Sequence, residues 1–289
     1  MPIHEFSPFY NENLLAELKI LENSNWIDKF HITESDRDFR FNRKDFHFNV
    51  IHPSIDYLKL NGFLHFQRAH YRLSREKWFL RRVALDPWQN DMIQRNFAVK
   101  ELIPQDNDIL IFSDIDEIID SRYHQDLIRY IDKYGIITIK LHYTLYFLNL
   151  FSENWVGPPD YSYRVFLMSG EYFKKNSVNV DQLRKAGERG DLEKTVKCFP
   201  EFAGFHHSWL GDEKFLLAKL GAYPHARNEH DESIYDNNGK PNSEKLREFL
   251  LSGKSVYGSS HKLRFRPEVE LLKTIEENRD SIYKPYLLK

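Results

Sequence analysis

The sequence predicts an α/β protein: a mostly parallel sheet flanked by helices, followed by an elaborated C-terminal half. Strand and helix patterns alternate through the first half at spacings that suit β-α-β units. One run, Ile109-Leu110-Ile111-Phe112, is apolar throughout, as expected of a strand covered on both faces. No repeat and no low-complexity tract competes with this reading.

Residues 2–6 form a first strand, with Ser7-Pro8 as its break. Asn11 caps a helix over 11–21, in which Leu14, Leu15, Leu18 and Leu21 recur at helical spacing while Glu17 and Lys19 face out. Trp26–Ile32 is a second strand ending at Thr33-Glu34-Ser35-Asp36, and Phe63–Phe66 a third. A helix over 89–102 turns Met92, Ile93, Phe97 and Leu102 inward and stops before Pro104. Then come a strand over 108–112, a helix over 122–133 and a strand over 136–141. Beyond it, Gly157-Pro158-Pro159 marks a loop, 181–194 is charged and Gly-interrupted, and 224–243 reads as a long polar loop. Arg266-Pro267 opens a last amphipathic helix through Leu271, Leu272 and Ile275. With no linker in view, residues 1–289 are expected to be one domain, with halves at 1–120 and 121–289.

Composition narrows the function. Apolar residues are 41% and charged residues 29%, enough for a full core without staples. The net charge of -2 does not suit phosphate neutralisation and argues against nucleic acid as a partner. The single cysteine, Cys198, excludes an internal disulfide and a Cys-based zinc site, and fits a reducing, cytoplasmic compartment. The start has no signal-peptide pattern, and Tyr143–Phe151 is too short to span a bilayer. The arginine-rich run 67–82 reads as a solvated face and leaves peripheral membrane contact open.

Ligands of parallel sheets sit outside the carboxyl ends of the strands. There the chain carries Phe112-Ser113-Asp114-Ile115-Asp116-Glu117. In an extended segment Asp114 and Asp116 share a side, where two carboxylates can hold Mg²⁺ or Mn²⁺ and the diphosphate it neutralises. Capping of the following helix is the alternative for Asp116, Glu117 or Asp120. Pro8 and Tyr10, between the first strand and helix, lie where a base or ribose would sit, and Glu34 can accept hydrogen bonds from either. Arg95, beside Asn96, offers a planar fork to phosphate oxygens. The stretch 204–213 gathers His206, His207, Trp209, Asp212 and Glu213. A histidine there can complete a metal shell or bind phosphate, Trp209 can stack on a sugar, and Asp212 or Glu213 can take a proton from a hydroxyl.

Together these stretches resemble glycosyltransferase family 17. The resemblance runs through F-Y-N-E-N-L-L-A-E-L-K-I-L at 9–21, W-I-D-K-F-H-I-T-E-S at 26–35, Q-R-N at 94–96 and D-I-L-I-F-S-D-I-D-E-I at 108–118. It continues with F-A-G-F-H-H-S-W-L-G-D-E at 202–213, K-L at 219–220, R-P-E-V-E-L-L-K at 266–273 and E-N-R at 277–279. Ile119, Phe205 and Asp91 stand where the family often has Pro, Trp and Glu. The resemblance implies a GT-A-like, Rossmann-type fold and an inverting, Mn²⁺- or Mg²⁺-dependent transfer. The donor it implies is a nucleotide-sugar, UDP-linked by default and with UDP-GlcNAc as one candidate. The acceptor would be a glycan or glycolipid hydroxyl. It favours Asp114, Asp116 and His206 as metal ligands, Pro8, Tyr10, Glu34, Arg95, Asn96, Asp114 and Trp209 as the donor site, and Glu213 over Asp212 as the base. A catalytically silent sugar-binding relative and a metal-dependent phosphohydrolase are the other classes that a strand-end Asp-x-Asp admits.

Overall fold

A computed structural model describes residues 1–38, 42–61, 87–153, 163–192, 194–211, 213–222, 232–236, 240–252, 254–257 and 262–288. The sheet begins with β1 (Ile3–Phe9), β2 (Lys29–Ser35), β3 (Ile55–Leu60) and β4 (Ile109–Phe112). These are parallel neighbours in the order β3-β2-β1-β4. Helix α1 (Asn13–Asn23) connects β1 to β2, and α2 (Pro87–Glu101) precedes β4 and packs on β1 and β2. This parallel half, covered by helices, is the predicted architecture, and Ile109–Phe112 are all buried within it.

The second half extends the same sheet. β5 (Glu117–Ile119) leads through a short 3-10 turn into α3 (His124–Tyr134), β6 (Ile136–Leu145) and β7 (Leu150–Ser152). β8 (Phe166–Ser169) inserts antiparallel between β4 and β6 and so joins the two halves. Helices α4 (Gly170–Asn176) and α5 (Val180–Arg189) follow, then the long β9 (Lys197–Ser208), α6 (Glu213–Ala222), α7 (Ser243–Ser252), β10 (Leu263–Phe265) and α8 (Lys273–Glu277). β9 runs parallel to β6 and antiparallel to β5, and β10 closes the edge on β7. Among the described residues no helix is long and apolar enough to cross a membrane.

Several expectations change. β1 does not stop at Ser7-Pro8 but runs to Phe9. Its pairing with β4 ends at Phe6, so Pro8 faces only β2 and its missing N–H is tolerated at that one-sided end. β2 carries Thr33, Glu34 and Ser35 as buried strand residues. Asn11 is not the cap of α1; Glu12 takes that place, and its carboxylate accepts the backbone N–H of Tyr10 and Asn11 at 3.1 and 2.9 Å. The charged segment at 181–194 is largely helix α5, capped by Asn179 and ended by Gly190 at φ 75°. Gly187 inside it admits the Tyr163 carbonyl, which would lie 2.0 Å from an added Cβ. The terminal helix is shorter than predicted: Leu272 is extended, so Leu271 and Leu272 enter the core ahead of the five residues of α8. The strand expected at 63–66, the arginine run 67–82, Gly157–Pro159, Asp212 and most of the 224–243 loop lie outside the described residues.

Lys19 is the largest departure. Glu17 is exposed as expected and Leu21 is 48% exposed, but Lys19 is fully buried. Its ammonium donates to Glu5 Oε1 at 2.7 Å, Ser7 Oγ at 3.2 Å, Ser113 Oγ at 2.5 Å and the Asp114 carbonyl at 2.9 Å. It thereby ties α1 to the carboxyl ends of β1 and β4. Nearby, Glu22 accepts Ser121 Oγ at 2.6 Å and the Thr274 N–H at 2.8 Å, fastening α1 to the start of α8. Removing one member of a buried ion pair leaves the other charged and unpaired. Lys19→Met is expected to lower unfolding free energy by about 3 kcal/mol or more, and Lys19→Met/Glu5→Gln to recover part of it. Urea unfolding of the three proteins measures both.

Candidate functional site at the end of β4

The chain leaves β4 at Phe112 and turns at once. The Glu117 N–H donates to the Asp114 carbonyl at 3.0 Å, and the Asp114 N–H to Glu117 Oε2 at 2.7 Å. The segment 114–117 is therefore a turn rather than the extended piece expected from the sequence. The turn sends its acids in different directions. Asp114 faces the arginines of α2 and α5; Asp116 faces β9 and α6.

On the arginine side, Arg95 Nε and Nη2 reach Asp114 Oδ1 and Oδ2, each at 3.0 Å. Arg184 of α5 donates to the same Asp114 carboxylate and holds both Glu117 oxygens, at 2.9 and 2.8 Å. Arg95, Arg164 and Arg184 line one narrow cleft with Phe6, Phe112 and Ser113. Sequence reasoning missed Arg184. Its segment, 181–194, reads only as charged and Gly-interrupted, which gives no sign that one of its arginines turns inward.

On the other side, the β5–β9 ladder pairs Glu117 with His206, and the His207 N–H donates to the Asp116 carbonyl at 2.8 Å. This sets His206 Nε2 3.5 Å from Asp116 Oδ2. Lys219 Nζ of α6 lies 4.0 Å from Asp116 and 3.5 Å from Glu12. Burial alone raises the Asp116 carboxyl, but His206 and Lys219 outweigh it and bring it down to about 2. Glu117 is likewise raised by burial and brought down to about 2 by Arg184. Burial lowers Lys219, but Glu12 and Asp116 overcome it and hold the ammonium above the ordinary lysine value. His207 is a buried neighbour: burial pulls it down to about 3, and its Nδ1 shares a hydrogen bond with Thr144 Oγ1 at 2.7 Å.

Asp116, Glu117 and His206 bring ligating atoms within 4.8 Å of one another. Two carboxylates and an imidazole suit Mn²⁺, and the carboxylates suit Mg²⁺. Of the expected ligands, Asp116 and His206 belong to this trio, whereas Asp114 lies outside it with its carboxylate on two arginines.

The remaining expected residues are placed as follows. Pro8 and Tyr10 sit half-buried at the end of β1, with Lys44 Nζ 5.4 Å from the centre of the Tyr10 ring. Glu34, expected to meet a ribose or base, is fully buried and turned to its own chain. It accepts from Lys44, from the His47 and Phe48 N–H groups at 2.8 and 3.1 Å, and from Tyr57 Oη at 2.7 Å. Asn96 bonds back to the Met92 carbonyl at 2.7 Å, while the adjacent Gln94 clamps the Phe9 and Thr33 carbonyls. Trp209, at φ 55°, is 1% exposed; its indole N–H donates to Tyr257 Oη at 2.7 Å and Lys219 lies over its ring. It backs Lys219 rather than presenting an open face. Glu213 opens α6, half-buried, on the helix that carries Lys219.

This charge arrangement has an acid signature. Asp116 and Glu117 have folded-state values below their unfolded ones, so their stabilisation is complete above about pH 5 and lost as pH falls towards 2. Asp116→Asn lacks one of these contributions. The gap in melting temperature between wild type and Asp116→Asn is expected to be largest near pH 7 and to narrow towards pH 2. Melting curves across that range check it.

Among solved structures, the chain resembles S. aureus TarS 1-349 at 13% identity, covering 76% of this chain and 65% of that one, with a TM-score of 0.37. The alignment thus spans less than two thirds of the TarS chain. Mannose-6-phosphate isomerase from Helicobacter pylori aligns at 13% identity over 65% of this chain and 79% of its own, with a TM-score of 0.27. The galactosyltransferase LgtC, in complex with donor and acceptor sugar analogs, aligns at 10% identity over 87% and 96%, with a TM-score of 0.32. No curated protein matches the sequence. The sequence model of glycosyltransferase family 17 matches residues 6–176, from within β1 to the end of α4 and so across the turn that carries Asp114 and Asp116. That match covers more than half of the chain, which therefore belongs to glycosyltransferase family 17.

Proposed function

We propose that this protein transfers a sugar from a nucleotide-sugar, UDP-linked by the family default, to a glycan or glycolipid hydroxyl with inversion at the anomeric carbon. The observation that carries the reading is the turn after β4. It sets Asp116 beside His206 and Lys219, and Asp114 beside Arg95 and Arg184, at the carboxyl end of the parallel strands.

Asp116 and His206 would hold Mn²⁺ or Mg²⁺, with Glu117 the third ligating group in reach. When bound, the cation neutralises charge on the departing diphosphate. The chain's own residues do the rest. Arg95 offers its planar fork to phosphate oxygens. Lys219 adds a fixed ammonium, kept charged by Glu12 and Asp116 and backed by Trp209. Pro8, Tyr10 and Asn96 border the base and ribose, while Glu34 acts indirectly by fixing the chain at 44–48. Glu213 is the proposed base. As the acceptor oxygen forms its bond to the anomeric carbon, its proton passes to the Glu213 carboxylate, and the bond to the β-phosphate oxygen breaks to release the nucleoside diphosphate. Asp212, next in sequence, is the alternative base. A cytoplasmic setting is the one that a lone cysteine supports.

The assay is release of nucleoside diphosphate from a donor panel, with and without acceptor extracts. Asp116→Asn is expected to lower turnover by about a hundredfold or more, the scale of losing one transition-state charge stabiliser. Near-normal turnover would remove Asp116 from the site. Glu213→Gln is expected to keep donor affinity and lose transfer by about a hundredfold or more. Full activity in that variant would pass the base to Asp212.

A further inference from the structure

At the amino ends of the same strands, away from Asp114 and Asp116, a second group of ionisable side chains has no part in the reading above. It consists of His4 on β1, His31 on β2 and Asp56 on β3. The register pairs His31 with Asp56 on one side and with Phe6 on the other, and His4 lies two residues before Phe6. The two imidazole rings stack with centres 5.2 Å apart, and Phe6 stacks on His31 at 4.7 Å. His4 Nδ1 lies 3.0 Å from His31 Nε2, and His31 Nδ1 lies 2.9 Å from Asp56 Oδ2.

These contacts fix the tautomers. An ionised Asp56 only accepts, so His31 Nδ1 carries the proton and His31 Nε2 presents a bare lone pair. The hydrogen between the rings then belongs to His4 Nδ1. Burial lowers both imidazoles below the ordinary histidine value, against the pull of Asp108 and Asp28 on His4 and of Asp56 on His31, so both are neutral at pH 7. Asp28 accepts the Ile3 N–H at 2.8 Å, and Lys29, which opposes a cation here, donates to the Pro53 carbonyl at 3.2 Å. Asp108, the acid that acts most on His4, is buried; its Oδ2 accepts the Gln105 N–H, and its Oδ1 has no hydrogen-bond partner among the described residues.

Two neutral imidazole nitrogens so placed can chelate. Nitrogens bound to one tetrahedral Zn²⁺ at about 2.0–2.1 Å lie about 3.3–3.4 Å apart, close to the 3.0 Å found between the rings. A carboxylate on the second nitrogen of a ligating histidine sets its ring and raises its basicity, which is the place Asp56 holds. Zn²⁺ would take the position of the shared hydrogen. The His4 proton moves from Nδ1 to Nε2, both rings stay neutral, and no proton is released. Asp56 is 48% exposed and His4 half-buried, so the pair is reached from solvent. Imidazole nitrogen suits Zn²⁺, whereas Mg²⁺ takes oxygen ligands.

We propose that His4 and His31 form a Zn²⁺ site, with Asp56 as its outer carboxylate and water in the open positions, that clips β1 to β2 at the amino ends of the parallel strands. The site is separate from the one after β4 and does not depend on the nucleotide-sugar reading.

Isothermal titration of the full chain with Zn²⁺ tests it, in an Asp116→Asn/His206→Ala background that removes ligands of the group after β4. That protein is expected still to bind Zn²⁺, and its melting temperature to rise as Zn²⁺ is added. Adding His4→Gln is expected to abolish both the binding heat and the rise. His31→Gln is expected to do the same; His4, being half-buried, keeps the test usable if His31→Gln fails to fold. Asp56→Asn can still accept the His31 N–H, yet is expected to weaken Zn²⁺ binding by about tenfold or more. Mg²⁺ is expected to give no rise in the background protein. If the background fails to fold, wild type and His4→Gln are compared directly, and the variant is expected to bind one Zn²⁺ fewer. No Zn²⁺ binding in the background, or binding that His4→Gln leaves unchanged, overturns the site. A rise with Mg²⁺ equal to that with Zn²⁺ overturns it as well. None of these outcomes bears on nucleotide-sugar binding at the other end of the strands.

Discussion

The site depends on one buried ammonium. Lys19 reaches from α1 to Glu5, Ser7, Ser113 and the Asp114 carbonyl, and these lie on β1 and on the chain leaving β4. A lysine is costly to bury unless every proton finds an acceptor and its charge a partner. Here Glu5 supplies the partner and the oxygens of β1 and residues 113–114 supply the acceptors. Holding the Asp114 carbonyl fixes where the chain turns, and the turn is what divides the acids. Without Lys19, Glu5 would be a buried charge directly beneath the segment that carries Asp114.

The division of the acids gives the site two unlike halves. Asp114 and Glu117 are closed by arginines on α2 and α5; Asp116 is opposed by His206 on β9 and Lys219 on α6. Each carboxylate meets a cation on another element, and for Asp116 and Glu117 those cations outweigh burial and hold the carboxyl down. The strand ladder does the positioning. β5 is only three residues long, yet its register with β9 sets Glu117 opposite His206. Glu12 ties the first loop to Lys219, so the base-side and metal-side parts of the proposed donor site are in contact.

Much of this architecture was legible because it rests on strong local signals. The Ile109–Phe112 run, the leucine spacing after β1, and the apolar stretch that became β6 each name their element by pattern alone. Asp114 and Asp116 could be found because they follow such a strand. What was not legible depends on contacts distant in sequence. Lys19 has the helical position of an exposed residue until β4 is placed beside it. Pro8 looks like a breaker until β1 is seen to lose its second neighbour beyond Phe6. Arg184 lies in a segment that reads as charged and Gly-interrupted; its burial, and the approach of the Tyr163 carbonyl to Gly187, show how closely α5 packs on the chain. Glu34 and Trp209 were recognised as chemistry-bearing residue types, but burial gives both of them inward partners.

The central claim is that the turn after β4 forms a nucleoside-diphosphate site completed by a divalent cation. Its most direct test is a thermal-shift panel of the wild-type protein with UDP, GDP, CDP and their sugars, each with Mn²⁺, Mg²⁺ or EDTA. A ligand that binds the native state raises its melting temperature by mass action. The account predicts a shift for one nucleotide class that EDTA removes. A folded protein that shows no shift with any nucleotide, or the same shift with EDTA as with the metal ions, would contradict it.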